Sequence, residues 1–239
     1  MSVDKKIDQT DLTFFTNEEG HSLLSRFKST LKDTQLFDVL VGYFRASGFY
    51  QLYDALEPVE KIRILVGLSI DRDSYDAMQY HQQNGIIDFE SHQRTKKKYQ
   101  ENLKEEIENT AENDNRLEIG IRKFIEFLKA DCQDPEMDKA YNGNGKKLEI
   151  RAYPSKNIHA KVYIGKFKPE DRDYGFVITG SSNFSESGFV ANREFNVELR
   201  GKRDVLFAED QFNALWKDSV DISDDFVDTI QNKTWLNDQ

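Results

Sequence analysis

Ile158-His159-Ala160-Lys161-Val162-Tyr163-Ile164 is the stretch whose reading decides the fold. Its alternation predicts a β-strand, and His159 and Lys161, two positions apart, would leave the same face of that strand. A polar excursion from Lys166 to Tyr174 follows, and Gly175-Phe176-Val177-Ile178-Thr179 returns as a second strand. That strand runs into Gly180-Ser181-Ser182-Asn183, where Gly180 would let the backbone approach a ligand and two hydroxyls and a carboxamide supply donors. A third strand, Phe195-Asn196-Val197-Glu198-Leu199, carries Glu194 at its mouth.

This set suits one kind of chemistry. A neutral imidazole is a nucleophile, and a carboxylate such as Glu194 can orient it. A lysine ammonium with Ser and Asn donors makes a socket for a tetrahedral anion. A phosphoryl group in transit needs such donors around its equatorial oxygens. No cluster of Asp, Glu or Cys suggests a metal, so the expected chemistry uses neither metal nor cofactor.

Outward from this centre, the chain alternates strands and helices. Leu36 to Phe44 and Lys61 to Leu68 read as buried strands, with a helix between them from Ser47 that carries Phe49, Leu52, Tyr53 and Leu56 on one face and closes at Pro58. Strand, helix, strand is the unit that builds a sheet with covered faces. Upstream, Thr16-Asn17-Glu18-Glu19 reads as a helix start for His21 to Leu31. Residues 71–140 read as mostly helical, and Asp131 to Lys147 as a loop with the turn signal Asn142-Gly143-Asn144-Gly145. Leu148 to Tyr153 is a strand, Asp204 to Asp218 a helix, and Ser223 to Trp235 a short helix.

With 17 Phe and 10 Tyr in 239 residues, the core is expected to be Phe-rich. The single cysteine, Cys132, rules out an intramolecular disulfide and fits a reducing compartment. No apolar run reaches transmembrane length and no signal-peptide pattern opens the chain, so a cytoplasmic protein without a membrane partner is expected. A net charge of −10 argues against a free-standing nucleic-acid binder with a basic face. Any DNA affinity would be local or supplied by another domain.

The ordered residues resemble the phospholipase D superfamily, whose signature is His-x-Lys-(x)4-Asp followed by Gly-Ser-x-Asn. His159 and Lys161 match its first half, Gly180, Ser181 and Asn183 its second, and Glu194 its downstream acid. The departure is Lys166, which stands where the family has Asp. The resemblance implies an α/β fold, a mixed β-sheet flanked by helices on both faces, with a helical insertion at about 71–140. It implies a lead-in and helix over 1–35, the phospholipase D-like domain over 36–218, and a linker helix over 219–239. Catalytic roles fall to His159, Lys161, Asn183 and Glu194, and phosphate binding to Lys161, Ser181, Ser182 and Asn183.

More narrowly, Val41-Gly42-Tyr43-Phe44 with Ser47-Gly48-Phe49, then Leu215 to Ser219, then Lys233 to Asp238 resemble the N-terminal region of bacterial Swi/Snf-type DNA helicases. That implies DNA as substrate and, since this chain has no phosphate loop of its own, either an N-terminal fragment with a helicase motor in cis or a free-standing relative. The superfamily cleaves phosphodiesters with two histidines, yet only His159 here belongs to a His-x-Lys; His21, His81 and His92 do not. The implied arrangement is a homodimer pairing two copies of His159.

Blander readings stand beside these. Gly180 to Asn183 could be a turn and helix cap, Glu194 a rim salt bridge, Arg94 to Lys98 a solvated helix face, and Arg45 merely exposed. The alternative function is an inactive module that binds nucleic acid or a partner for a helicase or restriction system, favoured by Lys166 and the acidic charge. A third is a stand-alone restriction endonuclease subunit.

Overall fold

The computed structural model describes residues 13–18, 22–42, 44–67, 93, 96–97, 100–101, 103–104, 115–153, 158–171 and 173–233. The expectations for His21, Tyr43, His81, His92, all of 68–92, most of 94–114 and residues 234–239 lie outside the described residues. In chain order the elements are β1 (Phe14–Thr16), α1 (Leu23–Thr30), β2 (Thr34–Val41), α2 (Ala46–Leu56), β3 (Lys61–Gly67), α3 (Asn115–Lys129) and α4 (Pro135–Ala140). There follow β4 (Leu148–Tyr153), β5 (Lys161–Phe167), β6 (Gly175–Gly180), β7 (Phe195–Leu199), α5 (Lys202–Lys217), β8 (Val220–Asp221) and α6 (Ser223–Lys233).

The strands form one eight-stranded mixed sheet in the order β1-β7-β6-β5-β2-β3-β4-β8. β2, β3 and β4 are parallel neighbours, and every other pairing is antiparallel. Central strands covered on both faces need near-continuous apolar sequence, which is what β2 and β3 carry. One face packs α1, α2, α3 and α6 over a core that includes Phe27, Phe49, Phe124, Tyr163, Phe184 and Phe189. The Phe49 and Phe124 rings meet at 4.9 Å, and Phe124 reaches Phe226 of α6 at 6.1 Å. Each such ring, fully buried, contributes about 2–3 kcal/mol. The other face packs α5 through Val205, Phe212 and Trp216 onto Leu40, Leu65, Ile164 and Val177.

That second face also buries charge. The Arg63 guanidinium makes a two-pronged bond to Asp38 at 2.7 and 2.6 Å, and lies over the rings of Tyr141, Phe212 and Trp216. Lys61 reaches Asp138 at 2.5 Å and Glu149 at 3.1 Å. Burial pushes the Asp38 carboxyl up from its ordinary range, and Arg63 pulls it part of the way back.

Several local readings change. Thr16 ends β1 instead of opening a helix, and α1 starts at Leu23 with the Ser22 hydroxyl accepting the Ser25 N–H at 3.2 Å. Asn17 links the two by accepting the Leu23 N–H at 2.9 Å. The expected 131–147 loop holds α4, capped by the Asp134 side chain at Met137 N–H with Pro135 in its first turn. In the basic run, Lys96 pairs with Asp225 of α6 at 2.8 Å.

Candidate active site

Strand direction gathers the chemistry at one edge. Because β5, β6 and β7 are successively antiparallel, the start of β5, the end of β6 and the start of β7 fall at the edge where β2, β3 and β4 end. Ligands of open α/β sheets bind outside such carboxyl ends. Lys161 pairs with Val41 on one side, and on the other the register of Val162 with Thr179 sets Lys161 opposite Gly180, which itself pairs with Asn196. Lys161, Gly180 and Asn196 therefore share one row and one face.

His159 lies just before β5. The strand begins at Lys161, so residues 158–160 lie outside the strand that was expected to open at Ile158. The segment is held by a bond from Gly42 N–H to Ala160 O at 2.9 Å. It crosses two strand ends at close range. A Cβ on Gly42 would meet Ile158 O at 2.4 Å, and one on Gly67 would meet it at 2.7 Å. His159 is exposed and, among the described residues, its imidazole makes no hydrogen bond. Gly42→Ala is expected to cost about 1–3 kcal/mol by overpacking and to displace His159. Thermal denaturation checks this, and an unchanged melting temperature would refute the close approach.

The Gly180 to Asn183 turn divides its side chains between solvent and interior. Ser181 is exposed; its hydroxyl bonds the Glu194 carboxylate and accepts Phe195 N–H at 3.1 Å. Ser182 is turned inward instead of toward a phosphate. It is fully buried, its carbonyl accepts Tyr163 O–H at 2.8 Å, and its hydroxyl accepts from Asn196 Nδ2 at 3.0 Å. Burial holds the Tyr163 hydroxyl far above its usual range, with the Glu194 charge adding to it, so Tyr163 stays neutral. The Asn183 and Lys161 side chains are half-buried and carry no hydrogen bond among the described residues, which leaves both open to an anion. Glu194 meets Ser181, and no His159–Glu194 hydrogen bond forms.

Gly180 has a different reason from the one expected. A Cβ there would meet Phe195 O at 2.2 Å and Asn196 Oδ1 at 2.5 Å, so glycine is required by β7. Sequence reasoning also missed Phe184, which anchors the turn to α2: its carbonyl accepts Arg45 N–H at 3.0 Å, and a Cβ on Gly48 would strike its ring at 2.7 Å. Arg45 itself is exposed beside this contact. The signal was present in the small residues Gly42 and Gly48 flanking a strand end.

Lys166 sits five residues along β5 from Lys161, roughly 16 Å away at the strand rise. Its ammonium bonds the Tyr141 hydroxyl and faces the Tyr174 ring at the opposite edge. Asp171 and Asp173 lie in the same far hairpin, Asp173 within 3.7 Å of Arg200. The position where the family has Asp is thus remote from the His159 edge.

A mixed sheet with helices on both faces is consistent with a phospholipase D-like fold. The chain belongs to that family: residues 29–216 match the family model described as "Cardiolipin synthase, PLD-like domain". No curated protein matches the sequence. Among solved structures, the chain is similar to NucT from Helicobacter pylori, at 13% identity and a TM-score of 0.40, covering 83% of this chain and 90% of that one. It is similar to Nuc, a phospholipase D family member from Salmonella typhimurium, at 13% identity and a TM-score of 0.43, covering 87% and 95%. It is also similar to phosphatidylserine synthase of Haemophilus influenzae Rd KW20, at 11% identity and a TM-score of 0.43, covering 88% and 39%. Family membership rests on the sequence match. Among the described residues no helix is long and apolar enough to cross a membrane.

Proposed function

We propose that this chain is a metal-independent phosphodiesterase that cleaves DNA through a phosphohistidine intermediate, acting in the cytoplasm as the N-terminal part of a helicase-like protein. The observation that supports it is the shared sheet edge: Lys161 opens β5, Gly180 closes β6 and Phe195 opens β7 there, and His159, Ser181, Asn183 and Glu194 lie within three residues of those strand ends. In this reading a His159 imidazole nitrogen attacks phosphorus, and the bond to the leaving oxygen breaks. His159 of the partner subunit gives that oxygen a proton. A water then loses its proton to the same partner imidazole and displaces the phosphate from histidine. Lys161, Ser181 and Asn183 hold the non-bridging oxygens, and Glu194 orients the imidazole once Ser181 turns to phosphate.

The test is cleavage of single- and double-stranded DNA in EDTA, with the native mass measured on the same sample. Cleavage by a dimer is expected. A dimer that binds DNA without cutting it would establish the second reading, a binding module. One observation favours that module: the Glu194 carboxylate is taken by Ser181, not by His159.

A further inference from the structure

Phe14 and Phe195 are 58% and 60% exposed, unusual for phenylalanine in a chain whose other described phenylalanines, Phe207 of α5 at 66% apart, are buried. The pairing of Phe14 with Val197 and of Thr16 with Phe195 sets both rings on one face of the β1–β7 edge, diagonal neighbours with centroids 5.7 Å apart. Phe195 is locked to the candidate socket: its N–H donates to Ser181 Oγ and its carbonyl accepts Ser181 N–H, each at 3.1 Å. Next to it, Arg193 is held among the described residues by Glu18 at 3.2 Å, a pair of highly exposed side chains worth little to stability.

From this placement we infer that Phe14 and Phe195 form a stacking platform for unpaired nucleobases, so that the substrate presented to the socket is single-stranded nucleic acid. The inference rests on the phosphodiesterase reading above and names its substrate class. Aromatic faces accept any base, because every base has a π-face. The bases of a duplex are already stacked on each other and offer no face at the phosphate edge. Phe195 precedes Asn196 on β7, so its ring leaves the sheet face opposite to that of Asn196 and Lys161. A nucleotide whose phosphate lies at Ser181 would carry its base over the strand end onto that face, and Arg193 can leave Glu18 for the adjoining phosphate. A second copy of the chain fits less well. The two rings offer roughly 250 Å² of apolar surface, against about 800 Å² per partner in a stable interface.

The test compares wild type, Phe195→Trp and the double variant Phe14→Ala/Phe195→Ala in EDTA. Binding of a fluorescent single-stranded 15-mer and of its duplex is read by anisotropy, with native mass on the same samples. Both rings are exposed, so the double variant is expected to keep its melting temperature. The expected result is an affinity for the single strand about 10- to 100-fold weaker in the double variant, largely retained in Phe195→Trp, with less than threefold change for the duplex. Wild-type single-strand affinity in the double variant overturns the platform, as does a drop from dimer to monomer with single-strand binding intact. Hydrolysis of a base-free phosphodiester by the wild type tests the catalytic reading separately. If that fails while the single-strand effect holds, the platform stands and the enzyme does not.

Discussion

Replacing His159 with alanine is expected to lower phosphodiester cleavage by at least ~10⁴-fold, as loss of a covalent nucleophile does elsewhere. The fold should not notice. His159 is exposed, lies outside the strands and makes no side-chain hydrogen bond among the described residues, so its removal belongs with surface changes of about half a kcal/mol or less. The measurement is the single-turnover cleavage rate in EDTA beside a melting curve. Lys161→Ala should fall between the two, losing ~10²–10³-fold as an electrostatic donor does. Near-normal cleavage by His159→Ala, with a normal melting curve, would remove the phosphohistidine from the mechanism and return Lys161 and Asn183 to simple anion binding.

The largest stability effect is expected at the other side of the sheet. Asp38→Asn leaves the Arg63 guanidinium, itself fully buried, without its counter-charge. Breaking such a pair costs about 3–5 kcal/mol, a large share of the roughly 5–15 kcal/mol that holds a domain together. The rings of Tyr141, Phe212 and Trp216 around the guanidinium offset part of the loss. The double change Asp38→Leu/Arg63→Met, which removes both charges, should recover most of it. Urea unfolding midpoints decide: a loss below about 1 kcal/mol in Asp38→Asn would show that the pair does not carry the second core.

The sequence itself determined the strands with strong local pattern and the residue types of the candidate site. The apolar run of β3 and the short stretches 148–153, 175–179 and 195–199 stand within a residue of where they were expected, while β2 starts two residues early and stops at Val41, three residues short of Phe44. His159, Lys161, Ser181, Asn183 and Glu194 were legible because their chemistry and order along the chain are local properties. Only tertiary structure decided the rest. β1 and β8 are three and two residues long, too short for any periodicity, and exist because β7 and β4 present an edge to pair with. Ser182 reads as a donor beside Ser181, yet Tyr163 and Asn196, distant in sequence, draw it inward. Gly42 and Gly67 look like ordinary strand ends until the Ile158 carbonyl lies against both. A pattern along the chain records which face a side chain prefers. It holds no record of which backbone crosses above it, because strand order and register are settled by packing between segments far apart in sequence.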